Sequence, residues 1–481
     1  MRLPKLRSNA LFSNSILIFI IRFFPAVANL LVLLYYSRHL DKTAYGTYQN
    51  FWIQLNIFYP IACFGIHALI TTYAPELIVK LARSISAKQY TIYASWLLAL
   101  SGGFALLQSS GLGFVLPFLF LFTFASGIIL ESFLIIFKNY KSLSLINLLY
   151  AVAFLLVHHY VLMSGYSNYK LFSALLVLNI IRSGVSLTIA GVNIRQSNGD
   201  TTTELRPLKE IRTLWLHLGF YDVLQTLSGW IDKFFVSIFL TAALSGIYFN
   251  GTQNIPFLPL ILSATGSAVL IQMAHVKAAD EKEALRQHMN NSARYLSNIV
   301  FPLFFFLLFF RHELFAVFFP GFEAAVPIFL VSLFMLPFRT YSFITVFQKL
   351  HKGYLSNIGA LGELVLAGML MYPLYRWLGM PGIMLSFIIS SYAQGAFYFY
   401  HMSRLMDTKA YNLIPIVNWA IKIIVFGTVF MIVHYLVTLF FRAGMSLFIG
   451  VITMSITVLA ALFIEITTRR NVISTTEEKV Q

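Results

Sequence analysis

Charge is what this sequence has least of. Asp, Glu, Lys and Arg together make up 11% of its 481 residues, and acids are the scarcer sign, 18 Asp and Glu against 34 Lys and Arg. A soluble domain carries about 25% charged residues, so the shortage excludes a soluble protein. Cysteine is nearly missing as well. The one thiol, Cys63, lies in an apolar run, which excludes an intrachain disulfide framework and a cysteine-based metal site. There is no Walker A loop, no Rossmann glycine pattern and no metal-ligand cluster. The reading is therefore no cofactor and no ATPase, with energy drawn from a proton or sodium gradient, the membrane potential or substrate mass action. No connection expected outside the membrane exceeds about fifteen residues, which excludes an external catalytic domain. The chain is read as a non-enzyme.

What is present is apolar length. Hydrophobic residues make up 58% of the chain, and mean hydropathy is +0.77. A spanning helix needs about 20 mostly apolar residues, and the sequence predicts an all-α polytopic membrane protein with fourteen of them. They fall near 13–36, 51–75, 91–109, 114–136, 143–163, 170–192, 214–239, 246–273, 295–310, 323–348, 354–375, 381–401, 414–439 and 445–466. Arg22 interrupts the first run and apolar residues continue past Ala28, so this segment reads as a membrane helix rather than a cleaved leader.

With both termini placed in the cytoplasm, 23 of the 34 Lys and Arg fall on cytoplasmic segments, six on external ones and five inside spans. That asymmetry follows the positive-inside rule. The net charge of +16 is thus topological, and no nucleic acid is expected as a partner.

The chain also repeats. Ser37, Leu40, Gly46, Tyr48 and Asn50 recur 200 residues later as Ser237, Leu240, Gly246, Tyr248 and Asn250. A period this long means a duplicated half-molecule rather than a solenoid, and an even number of spans between the copies makes the repeat parallel. The expected organisation is an N-lobe of helices 1–6 (residues 1–192), a polar cytoplasmic linker (193–213), a C-lobe of helices 7–12 (214–405), and helices 13–14 with a cytoplasmic tail (406–481).

An ionisable side chain at mid-bilayer costs roughly 2.5–3.5 kcal/mol on insertion scales, so it usually faces a cavity or a partner. The bases inside spans are Arg22, Arg182, Lys233 and Arg339; the acids are Glu131, Asp222, Asp232 and Glu363. Asp222, Gln225, Gly229 and Lys233 share one face of helix 7, with Asp222 and Lys233 about 16 Å apart along the axis. Guanidinium groups bind phosphate oxygens in bidentate fashion. Four bases and four acids also balance, so structural ion pairs locking helices together stand beside the functional reading. Lys422 and Glu465 lie near span ends and read as anchors. His67 reads as a packing histidine or a proton relay, and His158-His159 as interfacial. Gly359, Gly362 and Gly368 read as a packing face, and Pro60, Pro256 and Pro259 as sites of helix bending.

Four segments carry a family resemblance. They are Ser37 to Tyr48 (SRHLDKTAYGTY), Asp232-Lys233 followed by Gly246-Ile-Tyr248, Phe319 to Leu330 (FPGFEAAVPIFL), and Leu378 to Ser386 (LGMPGIMLS). In order, they resemble the polysaccharide transporter (O-antigen flippase) branch of the superfamily that also contains multidrug-and-toxin extruders and the lipid II flippase. Ile383, Met384 and Leu385 depart from it, standing where the branch has small residues.

The resemblance implies a flippase of the bacterial inner membrane. It would move a polyprenyl-diphosphate-linked oligosaccharide, an O-antigen or similar repeat unit of lipopolysaccharide biosynthesis, to the outer leaflet by alternating access of two lobes. Arg22, Arg182, Lys233 and Arg339 would attract the diphosphate. Asp222, Asp232, Glu131 and Glu363 would pair with them or take up a coupling ion. Membrane lipids, a polysaccharide polymerase and glycosyltransferases are the further partners it implies. The rival readings are a multidrug or cation antiporter of the same superfamily, a membrane enzyme of polysaccharide assembly, and a structural membrane protein. A multiply cationic cleft argues against the antiporter, the missing external loop against the enzyme, and the buried charges against the structural protein.

Overall fold

The computed structural model describes residues 5–196, 208–253 and 281–478, apart from 342, 344–345, 348–349 and 351. The side chains of 5–20, 22, 109–110, 208, 281, 410, 466 and 468–478 lie outside that description. Every described element is helical. In order they are α1 (Lys5–His39), α2 (Lys42–Cys63), α3 (Ile66–Thr72), α4 (Pro75–Ser84), α5 (Ala87–Leu112), α6 (Val115–Ile136), α7 (Tyr140–Met163), α8 (Asn168–Gln196), α9 (Leu208–Phe239) and α10 (Ala242–Gly251). Then come α11 (Glu281–Phe309), α12 (Arg311–Phe318), α13 (Val326–Leu333), α14 (Met335–Phe338), α15 (Gly353–Leu378), α16 (Met380–Leu405), α17 (Ile416–Phe440) and α18 (Ala443–Glu478).

Among the described residues nine helices are long and apolar enough to cross a membrane, and ten such spans result when α2 and α3, bent by 54°, are taken as one. Of the other four expected spans, the first lies on α1, which is not among these nine, and the remaining three have visible reasons to fall short. The apolar run of α9 is interrupted by Asp222, Asp232 and Lys233, and the span near 323–348 is split at Phe334 into α13 and α14, one turn before Pro337. Most of the span near 246–273, with Pro256 and Pro259, lies outside the described residues.

The chain divides into two compact units, Met1–Gly246 and Ile247–Gln481. In the first, the core is aromatic. Phe51, Phe104, Phe120 and Phe172 are fully buried; Phe51 stacks on Phe172 at 3.8 Å and meets Phe120 edge-on at 4.9 Å. Such pairs add about 0.5–1.5 kcal/mol beyond burial. Beside them His158 is completely buried, with Tyr48 Oη at 3.2 Å and the Phe154 carbonyl at 2.7 Å from its ring nitrogens. Only its neighbour His159 is exposed, bound to Tyr35. The pair expected at the interface is thus divided, because adjacent helical residues point about 100° apart.

The duplicated segments fold alike. Helix α1 ends at His39 and α2 starts at Lys42, as α9 ends at Phe239 and α10 starts at Ala242. Asp41 accepts from the Thr43 and Ala44 amides (2.8 and 3.0 Å), and Thr241 from Leu244 (3.4 Å), each capping the new helix at its N-terminus. The recurring glycines meet each other. A Cβ on Gly46 would fall 1.6 Å from the Ala242 carbonyl oxygen, and one on Gly246 3.2 Å from Gly46 Cα. No side chain fits between them, so α9 and the start of α10 belong to the first unit by contact.

In the second unit, a core of Met289, Val346, Phe347, Leu355, Tyr398 and Met402 joins α11, α15 and α16. Gly359 admits the Tyr398 ring, which a Cβ would meet at 2.2 Å, whereas nothing lies within 4 Å of a Cβ on Gly362 or Gly368. Only one of the three glycines therefore serves as a packing notch within the chain. Met384 is buried, its sulfur 4.0 Å from Tyr248 Oη; a polarizable thioether fills that gap where smaller residues were expected.

Candidate functional site: intramembrane charges and a broken helix

Among the described side chains, the charged residues expected inside spans are held in small groups, each within one unit. In the first unit Arg182 of α8 reaches Glu131 of α6, Nη2 to Oε2 2.7 Å, with both side chains about one-fifth exposed. The guanidinium also lies 4.9 Å from the Tyr150 ring centre on α7. A planar cation against a ring face and a carboxylate is the arrangement arginine favours. On α9, Lys233 Nζ lies 3.4 Å from Asp232 Oδ2 and 5.5 Å from the Trp230 ring, all three within about one turn of one helix. In the second unit Glu363 of α15 is buried, accepting from Ser391 Oγ (2.5 Å) and Gln394 Nε2 (2.9 Å) of α16. Arg339, at the end of α14, is half-buried within electrostatic reach of the same carboxylate. Arg22 sits on α1, and its side chain lies outside the described residues.

Asp222 does not join these bases. Its Oδ1 lies 3.8 Å from Nε2 of His67 on α3, both side chains about one-quarter exposed. The far atoms of the pair, Asp222 Oδ2 and His67 Nδ1, are buried without a hydrogen bond. Tyr59 and Cys63 of α2 and Tyr221 of α9 are the other titratable groups electrostatically close to that carboxylate.

This pair sits beside the break between α2 and α3. Phe64 and Gly65 both take left-handed backbone, φ 39° and 69°, which ends one helix and starts another. A helix end orphans its last carbonyls, and in a bilayer no water satisfies them. Here side chains do so. Trp96 donates to Ile61 O at 3.0 Å, Tyr93 to Ala62 O at 3.2 Å and Trp215 to Phe64 O at 2.7 Å. Against the break lies Gly219 of α9; a Cβ on Gly65 would be 2.5 Å from its amide nitrogen.

Sequence reasoning missed the partners rather than the charges. Pro60 pointed to a bend, but Trp96 and Trp215, far away in sequence, carried no sign that they cap it. Ser391 and Gln394, three residues apart and so on one helix face, were the available signal for a polar ligand set around Glu363. Lys422 and Glu465, read as separate anchors, form an ion pair of 3.3 Å, each 11% exposed, and Lys422 also donates to Arg294 O and Ser297 Oγ. No group of His, Cys, Asp and Glu able to hold a metal ion occurs among the described residues.

Long apolar helices carrying buried, locally compensated charges, with one helix broken and re-satisfied by side chains, define a multi-pass membrane protein with a transporter fold. The family described as "Polysaccharide biosynthesis protein" matches residues 37–321, more than half of the chain, and the chain belongs to that family. Among solved structures it is similar to the lipid II flippase MurJ in an inward closed conformation, with TM-score 0.66, 14% identity, 95% of this chain and 100% of that chain covered. It is also similar to an inward-facing multidrug resistance MATE family transporter of the MOP superfamily (TM-score 0.50, 13% identity, 82% and 98% covered) and to a MATE point mutant (0.51, 16%, 82% and 94%). At these identities the likeness is one of fold. No curated protein matches the sequence.

Proposed function

We propose that this protein is a flippase that carries a polyprenyl-diphosphate-linked oligosaccharide, an O-antigen or similar repeat unit, from the cytoplasmic to the outer leaflet of a bacterial inner membrane. Family membership supports polysaccharide assembly, and the fold supports transport across a bilayer. The observation that carries the reading is Arg182. Its guanidinium, held in apolar surroundings by Glu131 and Tyr150, has a carboxylate where an incoming phosphate would offer the same oxygens. Arg339 beside Glu363 repeats the theme in the second unit, and Lys233 and Arg22 are the further cations assigned to the substrate. Asp222, with His67, is the acid assigned to a coupling proton or sodium ion; Asp232, Glu131 and Glu363 hold the bases when substrate is absent.

The test is deletion of the gene with rescue by variants, scored by surface-polysaccharide staining, by lipid-linked repeat units on the cytoplasmic side, and by protein level. Glu131→Arg/Arg182→Glu separates a structural pair from a binding residue. A structural pair tolerates the exchange, restoring both protein level and glycan. A diphosphate-binding Arg182 does not, so the exchanged protein accumulates in the membrane while the glycan stays lost. Intact surface glycan in the deletion strain, with only drug resistance changed, overturns the proposal in favour of an antiporter.

A further inference from the structure

The first unit contains a cavity of about 1030 Å³ directly beside the break between α2 and α3. Its wall comes from α3, α4, α5, α6 and the first two turns of α9, and it is overwhelmingly apolar; Ile70, Leu81, Ile85, Trp96 and Phe133 are typical of it. Lys209 and Arg212, both exposed, are its cationic members. The volume is at the upper end for small-molecule pockets, roughly 300–1,000 Å³, and two fixed cations on an otherwise apolar wall match a ligand with a long apolar body and an anionic end.

Helix α4 places the cavity in depth. Pro75 starts it, Ile78, Val79 and Leu81 are buried, and Lys80 and Arg83 occupy other positions on the same ten residues. Its apolar residues are thus turned into the protein, and on the positive-inside assignment of the sequence this short basic helix belongs to the cytoplasmic side. On that assignment the cavity opens toward the inner leaflet, with Lys209 and Arg212 on its cytoplasmic side. One phosphodiester of an ordinary phospholipid carries a single negative charge; two cations one turn apart on α9 complement a diphosphate better.

Resting on the flippase reading above, we propose that this cavity is a loading site for the lipid carrier. The isoprenoid chain of a polyprenyl diphosphate enters between α4, α5 and α9, and Lys209 and Arg212 bind the diphosphate before the head group reaches Arg182 and Arg339. Its position against Trp215, which caps the break, puts the occupied cavity in direct contact with the bend.

The experiment uses the full chain in vesicles of phosphatidylethanolamine and phosphatidylglycerol, with a polyprenyl diphosphate probe carrying a diazirine near its head. After photolysis, labelled peptides are mapped by mass spectrometry, and flipping of a lipid-linked oligosaccharide is followed in the same vesicles. Label is expected on α4, on the start of α5 and on residues 209–215. Unlabelled polyprenyl diphosphate should compete and excess phosphatidylglycerol should not. Lys209→Ala/Arg212→Ala should cut labelling about tenfold or more, since hydrogen bonds to charged groups are each worth about that factor. Ala82→Phe, which fills the cavity without touching the cations, should do the same at an unchanged melting temperature. Label confined to other helices, full competition by phosphatidylglycerol, or wild-type labelling in the charge variant overturns the loading site. If the wild type still flips in any of those cases, this inference alone falls; if it neither flips nor takes label anywhere, the flippase reading falls with it.

Discussion

Gly65→Ala tests the account of the broken helix at its narrowest point. Two costs add. Gly65 has φ 69°, a conformation that costs an L-residue about 1–2 kcal/mol. The new methyl group would lie 2.5 Å from Gly219 N and 2.6 Å from Gly219 Cα. Both are backbone atoms that cannot rotate aside, so α9 must shift, at about 1–3 kcal/mol for overpacking. The expected loss is therefore about 2–5 kcal/mol, on the order of 2–5 °C in melting temperature for a chain of this length. The protein supplies its own reporter. Cys63 is its one thiol, it is buried, and it lies two residues from the substitution. A fluorogenic thiol reagent therefore reads opening at the break as temperature rises. Gly102→Ala on α5 is the control: a Cβ there meets nothing within 4 Å, and Ala in a helix interior is favoured by about 0.5–1 kcal/mol. Cys63 should react at a lower temperature in Gly65→Ala and no earlier than wild type in Gly102→Ala. Equal midpoints for Gly65→Ala and wild type would refute the reasoning.

Three further outcomes follow from the contacts. Asp222→Asn should reduce gradient-driven flipping to the level seen without a gradient while probe binding changes less than about twofold; undiminished gradient dependence in vesicles would remove Asp222 from coupling. Lys422→Met leaves Glu465 with its charge unopposed between α17 and α18 and should cost about 3 kcal/mol. Lys422→Met/Glu465→Gln should regain most of that in a double-mutant cycle of thermal melts, and strict additivity would show the pair contributes nothing. His158→Ala strands the Tyr48 hydroxyl in the aromatic core and should lower stability by about 2–4 kcal/mol, whereas His159→Ala, at an exposed position, should change the melt by less than about 0.5 kcal/mol; equal effects would mean the two rings are not distinguished as described.

The sequence by itself determined the class of molecule and its helices. Apolar length fixes spanning segments because a bilayer penalises every unsatisfied or charged group, and that penalty acts residue by residue along the chain. The 200-residue repeat was legible for a similar reason: Leu40, Gly46 and Tyr48 match Leu240, Gly246 and Tyr248 because each copy makes the same local corner, capped at Asp41 and Thr241. The intramembrane charges were legible as types. Their partners were not. Nothing local ties Arg182 to Glu131 and Tyr150, Glu363 to Ser391 and Gln394, or Asp222 to His67, because a pair across two helices depends on which faces meet, and helix rotation is set by packing. Tertiary structure likewise decided that Gly46 must meet Gly246 and Gly65 must meet Gly219. It assigned Tyr93 and Trp96 of α5 and Trp215 of α9 to the carbonyls of Ala62, Ile61 and Phe64 at the break. It also raised a cavity walled by five helices beside that break from segments that, one by one, read only as apolar spans and a basic loop.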